Sequence, residues 1–279
     1  MNKNIFIIIG ITIVLTLFLL SGFASFISPY NPADQNLYER LQEPGLSHFL
    51  GQDSLGRDIL SRIIYGSRVS LKVGFLTIFI SGIIGTFVGS IAGYYGGRID
   101  RILMQICDIF LAFPGLLMAI TLIAILGPGL NNVIFALCIM GWVSYARLVR
   151  GQILSLKNLD YVLAAVACGI SDIRIIFKHL LPNLMTPIIV HSTFGMAGAI
   201  VAEAGLSFLG LGVQPPETSW GMMLSEGRKF LLIAPHMTTF PGLAIMIVVL
   251  GLNLLGDGLR DTLDTKRERN FRPQIMLQN

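Results

Sequence analysis

Residues 109–146 read IFLAFPGLLMAITLIAILGPGLNNVIFALCIMGWVSYA, 38 positions without a single Asp, Glu, Lys or Arg. A helix rises about 1.5 Å per residue, so about 20 apolar residues cross a hydrocarbon layer about 30 Å thick. The run is too long for one crossing, and near its middle lies a turn-forming cluster, Gly127-Pro128-Gly129-Leu130-Asn131-Asn132. It therefore reads as the end of one membrane span, a tight loop and a second span. Four other uncharged runs, 4–33, 73–97, 179–202 and 230–256, are each long enough to cross once. The expectation is an all-α integral membrane protein with six transmembrane helices near 5–27, 72–95, 102–126, 133–149, 188–212 and 238–257. Strands of an outer-membrane barrel would alternate apolar and polar residues, whereas Ile5 to Leu20 and Val73 to Ile84 are apolar on every face.

Composition agrees. Only 13% of the residues are charged, against about 25% in an ordinary soluble domain, while 53% are apolar and the mean hydropathy is +0.72. That is too little polar surface to coat a soluble enzyme. Lys3 followed by an apolar stretch also resembles a secretion signal, but Ile5 to Ile27 exceeds a usual signal core and further spans follow, so a retained anchor is expected. Cys107, Cys138 and Cys168 are odd in number and widely spaced, which indicates neither a disulfide framework nor a zinc site.

The loop charges set an orientation. With the N-terminus inside, Lys3, Arg98, Arg101, Arg147, Arg150, Lys157, Arg174, Lys178, Arg260, Lys266, Arg267, Arg269 and Arg272 fall on the inner side. Only Arg40, Arg57, Arg62, Arg68, Lys72, Arg228 and Lys229 fall outside. The positive-inside rule favours this arrangement, with both termini cytoplasmic. The chain then divides into an N-terminal anchor with an extracytoplasmic segment (1–70), a core of five spans (71–258) and a basic cytoplasmic tail (259–279). No basic soluble module for nucleic acid is present; membrane lipid is the expected surroundings.

Between spans four and five the inner loop is longer than a turn requires. Tyr161 to Cys168 holds good helix formers, including Ala164 and Ala165, and Gly169 can take the positive φ that ends a helix. Ser171 is placed to cap a second helix, with Asp172 at the favourable end of its dipole. Ile173, Ile176, Phe177 and Leu180 recur at helical spacing, Arg174 and Lys178 form a basic pair, and Pro182-Asn183 would end the helix. On these residues alone the element is either a surface hairpin or a docking surface.

Ala164-Ala165, three residues, Gly169, then Ile173 to Pro182 resemble the "EAA" loop of ABC importer permeases. Further blocks are similar to the dipeptide/oligopeptide/nickel permease subfamily, the type with an extra N-terminal span. They are Leu50-Gly51-Gln52-Asp53-Ser54-Leu55-Gly56-Arg57-Asp58, Ala92-Gly93-Tyr94-Tyr95-Gly96-Gly97, Tyr145 to Gln152, Leu206 to Pro216, and Asn253 to Asp261. The resemblance implies a type I importer-like fold with a cytoplasmic coupling-helix loop that seats in an ATPase groove. It also implies a second homologous permease, two ATPase subunits carrying ATP and Mg, and an extracytoplasmic substrate-binding protein, in a bacterial inner membrane. Substrates implied are peptides, or nickel or another chelated metal. Leu163 stands where the loop's name implies Glu, and Val166 where a basic residue is frequent, which leaves Asp160, Arg174 and Lys178 as polar contacts.

Two carboxylates lie within the expected spans. Asp108, flanked by Ile106, Cys107, Ile109 and Phe110, is either a pathway or gate residue or a packing hydrogen bond to a Ser, Thr or backbone group. Glu203 reads as pathway lining toward the outer end of span five, where Gly195, Gly198, Ala199 and Gly205 permit close approach. His191 reads as a packed histidine rather than a metal ligand, and Pro114-Gly115 should bend span three. The chain has no phosphate loop and no His-Glu-x-x-His or Gly-x-Ser-x-Gly motif, so it should not hydrolyse ATP itself. An intramembrane enzyme using Asp108 and Glu203 is the competing class, weakened by their expected placement toward opposite leaflets.

Overall fold

A computed structural model describes residues 3–275, with side chains described for 5–262. Its helices are α1 (Lys3–Gly22), α2 (Ala24–Ile27), α3 (Ile59–Tyr95), α4 (Gly97–Leu111), α5 (Gly115–Leu126) and α6 (Leu130–Leu156). They continue as α7 (Asp160–Ala167), α8 (Asp172–Arg174), α9 (Leu181–Phe208), α10 (Trp220–Gly227) and α11 (His236–Ile275). Among the described residues, β-type pairing is limited to one bridge between Gln52 and Asp58. Five helical stretches are long and apolar enough to cross a membrane, and the pair α4 and α5 makes a sixth, broken crossing. The side chains of Lys3, Lys266, Arg267, Arg269 and Arg272 lie outside the described residues, so the tail's part in the charge bias rests on sequence.

Apolar helices in lipid gain little from hydrophobic burial against each other, so close backbone approach at small residues has to hold them together. Helices α3 and α6 do this along a seam. Gly85, Gly89 and Gly93 repeat every four residues and so share one face of α3. Gly85 sits on the Trp142 carbonyl and Tyr145, Gly89 on the Ala146 carbonyl and Val149, and Gly93 on Ile153 and the Arg150 carbonyl. Helices α1 and α11 run antiparallel by the same means, with Gly10 against the backbone of Gly251 and Leu255, Gly251 against Ile13, and Gly258 against Ile7. Both chain ends therefore leave the bundle at the same end.

The helices bear on four expectations. Pro114-Gly115 does bend the third span, and sharply: α4 and α5 meet at 80°, because Pro114, at φ −59° and ψ 121°, starts α5 from an extended conformation. The stretch 58–71, at the end of the segment expected to be extracytoplasmic, forms the N-cap and first turns of the 37-residue helix α3; its start is fixed by Asp58, whose carboxylate accepts the Ser61 N–H at 2.8 Å. Pro182-Asn183 does not end the second loop helix. A wide π-turn over 175–180, closed by Leu181 N–H to the Ile176 carbonyl, leads straight into α9 with Pro182 in its first turn, where a missing N–H costs nothing. Ser171 occupies the N-cap position of α8, but its hydroxyl makes no capping bond.

Gly89→Val should collide with the Ala146 carbonyl and cost about 1–3 kcal/mol. The expected readout is a lower unfolding temperature of the isolated chain in detergent. Gly198→Ala, a position with no atom within 4 Å, should leave that temperature unchanged.

Candidate functional site: the 160–183 loop

Helix α7 stops at Gly169, whose φ is +73°. The Ile170 N–H bonds the Ala165 carbonyl at 3.2 Å and the Gly169 N–H bonds that of Val166 at 2.9 Å. These two bonds form the paired closure that a left-handed residue after a helix permits. The chain then turns into α8 and the π-turn. Val162, Ala165, Ile175, Ile176, Leu180 and Leu184 pack as one buried cluster with Val149, Ile153 and Leu156 of α6. The loop is thus seated on the end of α6, and Tyr94 at the end of α3 fixes it further by donating its hydroxyl to Asp172 Oδ1 at 2.8 Å.

Its outer face is the informative part. Ala164, Ser171, Asp172, Arg174, Lys178 and Pro182 are exposed, while Ala165 is buried beneath them. Beside them Leu163 (51%), Val166 (52%), Ile173 (69%) and Phe177 (63%) stand open. The expected apolar stripe therefore splits: Ile176 and Leu180 turn inward, Ile173 and Phe177 outward. Leu163, the residue replacing the motif Glu, lies on this open face. Ile173 and Phe177 line a cavity with Phe79, Ile83 and Phe87 of α3 and Met185 of α9, while Leu163 and Val166 of α7 stand outside it.

Helix α4 is tied to the same end of α6 by charge. Arg150 donates to both carboxylate oxygens of Asp100, at 2.5 and 2.7 Å, and Lys157 donates to the Gly93 carbonyl at 3.0 Å. Asp108 pairs with Arg147, a partner the sequence reading missed because it sought Ser, Thr or backbone; both side chains are exposed. Glu203 is elsewhere, fully buried on α9, with Oε1 accepting from Ser207 Oγ at 2.6 Å. The two carboxylates are thus not brought together. His191 packs edge-on to Tyr145, ring centres 4.7 Å apart, and meets Ser144 Oγ at 3.1 Å.

This architecture has counterparts among known proteins. The family described as binding-protein-dependent transport system inner membrane component matches residues 85–269, a stretch containing the entire loop. The chain belongs to this family. A second match, to the N-terminal TM domain of oligopeptide transport permease C, covers residues 2–44. The permease is 47% identical over 266 residues to the dipeptide transport system permease protein DppC of Alkalihalophilus pseudofirmus, covering 95% of this chain and 88% of that protein. It is 48% identical over 254 residues to the glutathione transport system permease protein GsiD of Pectobacterium atrosepticum, covering 91% and 84%. In fold it is similar to an inward-facing form of the MetNI methionine ABC transporter, with a TM-score of 0.60 and 20% identity over 73% of this chain and 97% of that one. The permease is accordingly a multi-pass inner-membrane component of an ABC importer, a transport subunit rather than an enzyme.

Proline cannot adopt a positive φ and lacks the N–H that bonds Val166. Gly169→Pro should abolish transport by the reconstituted complex while leaving membrane insertion of the permease intact. Unchanged transport would remove this loop from the mechanism.

Proposed function

We propose that this permease forms, together with a second homologous permease, the path by which short peptides enter the cell from an extracytoplasmic binding protein. Two ATPase subunits, holding ATP and Mg²⁺, seat on the 160–183 loop and drive the cycle. The observation that carries this reading is the exposure of Leu163 and Val166, with Arg174 and Lys178, on an element otherwise locked to α3 and α6. A push on that face moves a rigid piece rather than a pliable loop, as alternating access requires. The second permease is supported by Gly198 and Gly205 of α9, where an added β-carbon would meet no other part of this chain within 4 Å, which leaves room for a closely packed helix. The excess of Lys and Arg in the expected inner segments supports a cytoplasmic position for the loop and both chain ends.

The substrate reading rests on the relatives. One is named for dipeptides and the other for glutathione, itself a tripeptide. Asp108 with Arg147 stands at the inner end of the path, where an exposed and readily broken ion pair can part as the bundle opens.

The test is the cargo of the cognate binding protein, isolated from the host and identified by mass spectrometry. Di- and tripeptides are the expected result. Nickel or a metal chelate in their place would overturn the peptide assignment.

A further inference from the structure

Helix α10 is only eight residues long, yet it is held at both ends. At its C-terminal end Glu226 Oε2 accepts from Arg57 Nη2 at 2.8 Å and from Arg62 Nη1 at 2.7 Å. Both guanidinium groups also reach Asp53 Oδ2, Arg57 Nε at 2.6 Å. Two cations and two anions balance in this quartet. Arg62 and Asp53 are almost wholly buried, and Glu226 opens partly to solvent. Arg62 keeps two buried donors, on Nε and Nη2, without acceptors among the described residues.

At its other end α10 lies on α9. Ser219 caps it by accepting the Met222 N–H at 3.2 Å, and Trp220 Nε1 donates to the Ile63 carbonyl at 2.9 Å. Gly221 meets the Ala204 backbone too closely to admit a β-carbon. The adjacent residue is Glu203, whose Oε2 is buried and makes no hydrogen bond among the described residues, with the Ser219 side chain beside it. From that point α9 runs back to Leu181 and continues through the π-turn over 175–180 and α8 to Asp172 in the 160–183 loop.

We infer that Arg62 and Glu226 are positioning residues of the transport cycle, and that α10 links the outer segment 36–62 to Glu203 on α9, and through α9 to the ATPase-facing loop. The inference rests on the importer reading above and adds the route by which docking outside is felt inside. The quartet makes 36–62 and α10 move as one piece. The glycine contact at Ala204 passes that movement to α9, and the helix carries it inward. Coupling of this kind is a free-energy difference between two sites, so it is read by perturbing one end and measuring the other.

The experiment uses the full complex in nanodiscs, with ATPase activity measured with and without the binding protein as isolated from the host. Glu226→Gln and Glu203→Gln should each keep basal ATPase within about twofold of wild type and lower stimulation by the binding protein about fivefold or more. The double variant should be no worse than the poorer single one, as expected of two groups on one route. Arg62→Lys should recover part of the stimulation lost in Arg62→Met. Wild-type stimulation in Glu226→Gln would overturn the inference. So would losses that multiply in the double variant, or basal activity and complex yield falling together, the mark of a merely structural role. A wild-type complex indifferent to the binding protein would sink the importer reading, and this inference with it. A non-peptide cargo would sink only the peptide assignment and leave the comparison of variants intact.

Discussion

The closeness of α3 to α6 underlies the rest of the molecule. At Gly85 and Gly89 a backbone carbonyl of α6 lies where a β-carbon would be, and at Gly93 the Ile153 side chain does. In a medium as apolar as the side chains themselves, such contact is what keeps two helices in register. The seam fixes the end of α6, and that end is the floor on which the 160–183 loop is built. It also brings Arg147 and Arg150 to the acids of α4, so that a helix with no tight glycine contact of its own is held by ion pairs instead. Dispersion acts along the middle of the bundle and charge at its margins.

The two margins use charge differently. At the end of the bundle that carries the 160–183 loop the Asp108–Arg147 pair is exposed, and an exposed pair contributes little to stability, about 0–1 kcal/mol, and parts easily. At the opposite end the Asp53–Arg57–Arg62–Glu226 quartet is largely enclosed. Each of these charges finds its counter-charge within the set, which holds the four groups in one geometry. One margin is suited to opening, the other to moving as a block.

Much of this was legible in the sequence, and the reasons for what was not are specific. Charge-free runs locate spans because lipid penalises every exposed charge alike, so all six crossings could be read. Gly169 could be read as well, because few other residues take its backbone angle. A bend at Pro114-Gly115 could be read too, but not its 80° size, since proline bends some helices and starts others, and only the surrounding packing decides which. For the same reason Pro182 looked like an end and proved to be a beginning. Arg57 and Arg62 were counted as surface cations because a sequence shows a charge but not its partners; Glu226 is 164 residues from Arg62. The glycine seam was visible as a four-residue repeat at 85, 89 and 93, a signal that reading α3 as uniformly apolar passed over.

The elbow between α4 and α5 has a further consequence. Ala112, Phe113 and Pro114 are all exposed on this chain, and here the backbone leaves the helical ladder within a crossing. Hydrocarbon cannot solvate peptide groups, so an interruption at membrane depth needs water or protein against it. A crossing interrupted at 112–114 therefore calls for water or protein, rather than acyl chains, against its elbow.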